Sequence, residues 1–444
     1  MRINSSIKQY GPLAFHGLLG LISPFFGSIA TIYGLLVSLY FFISLLQTRN
    51  RNGEAHKAAI YIASLELWLR MNGAALPWEF GKIASIGFLL LGMFFERRQR
   101  YNWTYILLLL LLIPAIILSA PPDFRAFREF LTFQLGGLIL LVFSLIYFSG
   151  RRLSLPQFIE LLRYALFPLV TVLVHVILRS PSLSQMRFEL GANFGASAGY
   201  GPNQVSTMLG LGIIITGFVY LWKLPPLISR RIDLILLILF LVRALLTFSR
   251  GGVIAAILIL GFAYVSMLIL QRKLSFGKVI SFGVLLGLLL GVGLFVDSLT
   301  GGVLLQRYKG ETYATSRGLE EKDLASVSSG RSEIIRTDLE MFLDHPMFGV
   351  GIGVSNLLRP DYGYKNISHI EQTRLLAEHG IFGFIFLISL ILLPFATYFK
   401  RRGINKSILL IFTLLSFLTM FHSATRLAMV GLYFGVGFLK VYFE

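Results

Sequence analysis

No cysteine occurs anywhere in the 444 residues, which excludes disulfides, thiolate nucleophiles and cysteine-bound metals. Charge is scarce as well: Asp, Glu, Lys and Arg together make up 14% of the chain, while 55% of it is hydrophobic. A soluble core has no room for that much apolar surface, so the sequence reads as an all-α polytopic membrane protein. Acidic residues are the rarer sign, 22 against 40 Lys and Arg, leaving a formal net charge of +18. In a soluble protein that excess would suggest nucleic acid. Here the basic residues fall in short clusters between apolar runs and read as topology signals, so no nucleic-acid partner is expected. A cleavable signal peptide is not expected either, because MRINSSIKQY leads into apolar sequence without a small-residue cleavage site.

What the chain has in abundance is long apolar runs. A crossing helix needs about 20 apolar residues, and roughly fourteen such segments can be placed between residues 10 and 441; a count of about twelve also fits, because 10–46 is nearly continuous and 57–71 carries Glu66 and Arg70. Basic clusters at Arg49 and Arg51, 97–100, Arg151 and Arg152, Lys223 with Arg230 and Arg231, Arg272 and Lys273, and 400–402 are separated by even numbers of these segments. One orientation therefore puts all of them on the cytoplasmic side. The expected organisation is an N-terminal helical bundle over 1–299, one large non-cytoplasmic loop with short helices over 300–372, and C-terminal spans over 373–444. Within the loop, DLEMFLDH suggests a short amphipathic helix before a glycine-rich turn. No internal repeat or pair of glycine-broken helices is visible, which counts against a secondary transporter.

The same orientation gathers the chemistry on the outer face. Four arginines stand there: Arg187 in QMRFELGANFG, Arg250 in TFSRGG, Arg331 in SSGRSEIIR and Arg426 in HSATR. Positive charge on that side runs against the usual bias, and guanidinium forks suit phosphate oxygens, so a diphosphate-bearing lipid is a natural ligand. Against that, any one of them could cap a helix or snorkel to lipid headgroups. Asn203, in GPNQ at the start of a span, either caps nearby amides or hydrogen-bonds a sugar or phosphate. His369 precedes the span from 373, with Glu371 two positions on. It is either structural or a group able to take a proton from a hydroxyl, with Glu371 orienting it. His379 lies ten residues beyond His369, about 280° around a helix, and need not act with it. His422 and Arg426, spaced i and i+4, form a second candidate pair. The histidines are scattered, with no D-x-D or H-E-x-x-H spacing, so no metal site and no cofactor are expected. Glu66, Glu79, His175 and Arg243 could instead sit near a midplane, as in a transporter of lipid-linked glycans.

The block SSGRSEIIRTDLEMFLDHPMFGVGIGVSN, then His369 with Gly380 and Gly383, resembles the O-antigen ligase and polymerase superfamily of bacterial envelope glycosyltransferases. SRGG at 249–252 and GPNQ at 201–204 are similar to family motifs at helix starts, while Ile370 stands where a polar residue is usual. The resemblance spans roughly 187–440. It implies a GT-C-like fold in the bacterial inner membrane with a periplasmic active face, and a metal-independent, inverting transfer. The donor would be an undecaprenyl-diphosphate-linked glycan and the acceptor a hydroxyl of lipid A-core or another glycan, with membrane lipids around both. Carried onto this sequence, Arg187 and Arg250 would bind the diphosphate and His369 would activate or position the acceptor. Arg331 and Arg426 would hold donor and acceptor or shape the loop. A ligase is expected first; a polymerase or a protein O-oligosaccharyltransferase of the same superfamily is the alternative.

Overall fold

A computed structural model describes the chain except residues 1–4, 97–98, 120–122, 270–274, 320, 322, 365–367 and 444. Of the stretches singled out above, the signal-peptide reading at 1–4, Arg97 and Arg98, and the basic pair Arg272 and Lys273 lie outside the described residues. The fold is helical, and among the described residues eight helices are long and apolar enough to cross a membrane. Three shorter apolar helices, at Tyr10–Ile22, Phe80–Phe95 and Trp103–Leu118, and the charged or short helices Glu54–Met71, Arg230–Leu246 and Ala428–Val436 stand at the other expected positions. The protein is an all-α polytopic membrane protein.

The chain forms two compact units. The first comprises 1–98, 152–308 and 440–444, and the second 99–151 and 309–439. In the first unit, α1 (Ser5–Ile22), α2 (Ser28–Thr48), α3 (Glu54–Met71) and α4 (Phe80–Phe95) precede the 25-residue α5 (Leu155–Arg179). Ahead of α5, the Ser154 N–H donates to Gln157 Oε1 at 2.9 Å, which satisfies an amide the new helix cannot. Three further helices follow: α6 (Pro202–Leu221), α7 (Arg230–Leu246) and α8 (Arg250–Ile269). Pro202 suits the first turn of α6, where no amide donor is needed. The start of α7 is secured reciprocally, Ser229 Oγ accepting from the Ile232 N–H while Asp233 accepts from the Leu227 and Ile228 amides at 2.8 and 3.0 Å. The unit continues through α9 (Phe276–Leu299), most of it exposed as a lipid-facing span would be, to the short α10 (Val303–Tyr308). Residues 152–154 and 440–442 pair as two parallel strands.

The second unit brings together α11 (Gly136–Phe148), the loop helix α12 (Arg331–Asp344), α13 (Val354–Leu358), α14 (Glu371–Lys400), α15 (Ile404–Ser423) and α16 (Ala428–Val436). The apolar stretch 425–441, expected to span, yields only nine helical residues in α16, all of them buried. Gly431 and Gly435 let it pack directly on α11: a methyl on Gly431 would lie 2.3 Å from Gly137 O, and one on Gly435 2.3 Å from the Ser144 carbonyl carbon. This is the small-xxx-small route to close helix contact in a membrane. The amphipathic helix expected around DLEMFLDH is α12, whose buried residues Ile334, Thr337, Asp338 and Met341 follow i, i+3, i+4, i+7.

One helix of this unit is kinked for a visible reason. At Gly380, inside α14, φ is +58° and ψ −136°, and the carbonyls of Ala377 and Glu378 are taken by the amides of Val350 and Gly351 at 2.9 and 3.1 Å. The loop that enters carries Gly349, where a Cβ would fall 2.4 Å from the Glu378 backbone. Both glycines combine a left-handed φ with a backbone crossing that no side chain would allow.

Candidate functional site

In the first unit, GPNQ and SRGG are two halves of one joint. The Ser249 hydroxyl donates to Asn203 Oδ1 at 2.8 Å, and the Ser206 hydroxyl donates to the Ser249 carbonyl at 2.9 Å. Gly252 completes the joint, because a methyl there would meet Ser206 O at 2.2 Å. Asn203 thus braces the turn from which Arg250 opens α8. Arg250 is half-buried, and its Nη1 donates to the Arg307 carbonyl at 3.1 Å, which draws α10 to this corner. Arg307 and Tyr308 therefore join Arg250, and neither was singled out from the sequence. Their only sequence signal is a basic and an aromatic residue soon after Gly301 and Gly302 end a span. The Tyr308 hydroxyl is buried without a hydrogen-bond partner. Burial pushes its pKa up, against the smaller downward pull of Arg250 and Arg307, so at neutral pH the group keeps its proton and can donate. Arg187 is exposed; its neighbour Phe188 stacks on Phe248 with ring centroids 5.6 Å apart, which keeps it beside the same turn.

In the second unit, His369 lies in the extended stretch before α14 and is fixed at both ends. Its carbonyl accepts the Ala424 N–H at 3.0 Å, and Arg426 Nη2 donates to its Nδ1 at 2.6 Å. Burial, then the charge of Arg426, lowers the imidazole pKa to about 4; Arg331 and Arg359 act in the same direction, while the Ser368 carbonyl opposes them. At neutral pH the ring is uncharged and sits among three guanidiniums.

The residue that places this stretch was not found in the sequence. Asp338, on the buried face of α12, accepts hydrogen bonds from Thr373 Oγ1 at 2.6 Å and Ser368 Oγ at 3.3 Å, one on each side of the α14 start. Arg359 Nη2 neutralises it at 2.6 Å, and both side chains are fully buried. Burial pushes the Asp338 carboxyl up, and Arg359 with the hydroxyl donors holds it down. A charge in the apolar stripe of an amphipathic helix was the available signal.

Glu371, expected near the imidazole, is fully buried. Its carboxylate is bound by Arg374 and accepts the Thr425 N–H at 3.3 Å, so Arg426, not Glu371, contacts the ring. His422 is buried in the last turn of α15 and donates from Nδ1 to the Leu418 carbonyl at 2.9 Å. Arg331 is half-buried and bonds the Ser328 carbonyl at 3.1 Å. His379 is buried with both ring nitrogens unpartnered, away from this arrangement of donors. Ile370 is buried completely.

The ionisable groups that suggested a transporter are engaged within the first unit. Glu66 pairs with Arg70 at 2.7 Å and Glu79 with Lys82 at 2.6 Å. His175 Nδ1 lies 2.7 Å from Ser23 Oγ, and Arg243 donates to the carbonyls of Val176 and Ala196. Such mutual pairing is what stationary buried charges need.

Residues 235–388 match the family model described as O-antigen ligase. The matched segment runs from α7 into α14 and carries Arg250, Arg307, Asp338 and His369; Arg187, Asn203 and Arg426 lie outside it. Over that segment, about a third of its length, the chain is similar to the O-antigen ligase family. No curated protein and no solved structure matches the chain.

Proposed function

We propose that this protein is an O-antigen ligase: it transfers a glycan from undecaprenyl diphosphate to a hydroxyl of lipid A-core at the periplasmic face of the inner membrane, with inversion at the anomeric carbon. The observation that carries this reading is His369, a neutral imidazole held by Arg426 within a cluster of guanidiniums inside the O-antigen ligase segment. Cations around an uncharged polar group suit a reaction in which a diphosphate leaves and negative charge grows on oxygen. In the first unit, Arg250, Arg307 and Tyr308 offer a further set of donors suited to phosphate oxygens. Arginine in these places would neutralise the leaving group without a metal ion.

The test uses the purified full-length protein in lipid vesicles, an undecaprenyl-diphosphate-linked glycan as donor and lipid A-core as acceptor. Glycosylated lipid A-core is the expected product, and His369→Ala should lower its formation by about 100- to 1,000-fold while the protein stays folded. Elongated lipid-linked glycan with no transfer to lipid A-core would replace the ligase reading with a polymerase. Transfer by His369→Ala at the wild-type rate would remove His369 from the reaction.

A further inference from the structure

The contact between Arg426 and His369 decides what the imidazole can do. A guanidinium carries only donors, so the nitrogen it meets must present a lone pair. That nitrogen is Nδ1, 2.6 Å from Arg426 Nη2. The ring is neutral at pH 7, because burial, followed by Arg426, lowers its pKa to about 4. A neutral imidazole whose Nδ1 accepts has its one proton on Nε2. A general base needs an open lone pair facing the hydroxyl it deprotonates, and the only lone pair of His369 is occupied. The backbone holds the ring in this pose: the His369 carbonyl is bound by the Ala424 amide at 3.0 Å, and the preceding Ser368 is tied to the buried Asp338. What remains for substrate is the Nε2–H of a ring on which the charges of Arg426 and Arg331 act, a combination suited to anionic oxygen.

Resting on the lipid-diphosphate reading above, we propose that His369 is a hydrogen-bond donor, through Nε2–H, to a phosphate oxygen of the glycan donor, and that Arg426 is the positioning residue that sets this tautomer. In the transfer, the acceptor hydroxyl oxygen forms a bond to the anomeric carbon as the bond from that carbon to the diphosphate oxygen breaks. The electron pair of the broken bond stays on the diphosphate, where the Nε2–H and the neighbouring guanidinium stabilise it. The proton of the acceptor hydroxyl is released to solvent water on the face opposite the diphosphate, which departs as an anion. His369 keeps its own proton throughout.

The experiment is nitrogen NMR on the full-length protein labelled with ¹⁵N in its histidine rings and reconstituted in lipid, the His369 signals being identified by their loss in His369→Gln. At pH 7 the His369 Nδ1 should be unprotonated and Nε2 protonated, and the ring should stay neutral down to about pH 5, above its lowered pKa. Inorganic pyrophosphate should shift Nε2 more than Nδ1. In Arg426→Leu, the released ring should populate both tautomers and its pKa should rise toward the ordinary value. A proton on Nδ1 in the wild-type protein, or a doubly protonated ring at pH 7, would overturn the proposal. Activity gives an independent reading: the amide N–H of Gln can stand in for Nε2–H, so His369→Gln should keep transfer within about tenfold of wild type, where His369→Ala does not. A Gln variant that folds yet is as inactive as the Ala variant would also overturn it. If the tautomer and the pyrophosphate shift are as stated but no lipid-linked glycan is consumed, the donor role stands and the transfer reading falls.

Discussion

The two polar corners of this protein are built from similar residues and use them differently. Around Arg250, two arginines and a tyrosine come together on the ends of helices that local motifs hold, and Arg250 donates to a backbone carbonyl. Around His369, one arginine is bound to the imidazole and another to a buried carboxylate. The first corner presents donors; the second uses its arginines to aim a single ring. Similar composition therefore carries no uniform meaning, and an arginine has to be read through the atom it meets. Arg426 looked like a phosphate ligand in sequence, and its partner turns out to be Nδ1 of His369.

The dependence of the His369 corner on buried charge gives the largest expected effect. In Asp338→Ala, Arg359 loses its counter-charge while remaining fully buried, and its Nε and Nη1 already lack partners. Leaving an uncompensated charge in the interior costs about 3–5 kcal/mol, and the α14 start loses its anchors at Ser368 and Thr373 as well. Thermal unfolding in detergent should show a marked fall in midpoint, and replacing Arg359 by Leu in the same chain should recover part of it. A variant as stable as wild type would mean that α12 does not hold this corner together.

The contrast between the corners also explains what could be read in advance. The apolar segments were legible because a span is a local property, and among the described residues eight of the expected ones are helices long and apolar enough to cross a membrane. GPNQ and SRGG were legible as motifs for the same reason: each lies on consecutive residues, although their union through Ser249 and Asn203 needed the fold. The His369 corner depends on pairs far apart in sequence, such as 338 with 359 and 369 with 426, and no spacing rule links them. Glu371 was a reasonable partner for His369 by proximity along the chain. The start of α14 instead turns that carboxylate inward to Arg374, because a buried arginine claims the nearest anion. The break at Gly380 was visible as a glycine but not as a kink, since the amides that donate to the freed carbonyls of Ala377 and Glu378 come from residues 350 and 351.

The Arg250 corner should respond to loss of geometry while charge is kept. Arg250→Lys preserves the cation and removes the fork, so it can no longer reach both the Arg307 carbonyl and a phosphate oxygen. Losing one hydrogen bond to a charged group corresponds to roughly a 10- to 100-fold fall in transfer, with little change in stability because Arg250 is only half-buried. Rates for Arg250→Lys and wild type, measured side by side at saturating acceptor, decide this. An unchanged rate would make Arg250 an anchor to the membrane surface.

The smallest effect expected is the most specific to the comparison. Tyr308→Phe deletes one hydroxyl and nothing else, and in this structure that hydroxyl has no protein partner to lose. If it served only the fold, its removal would be neutral or stabilising, because a buried unpaired polar atom would disappear. If it donates to an anion beside Arg250, affinity for the lipid-diphosphate donor should weaken by about two- to tenfold, one ordinary hydrogen bond, with the unfolding temperature unchanged or raised. Donor KM and thermal midpoint measured on the same preparation separate the two cases. Since burial keeps the phenol protonated well past neutrality, the difference between Tyr and Phe should stay constant from pH 6 to pH 9. A difference that vanished within that range would point to a titrating neighbour instead of the Tyr308 O–H.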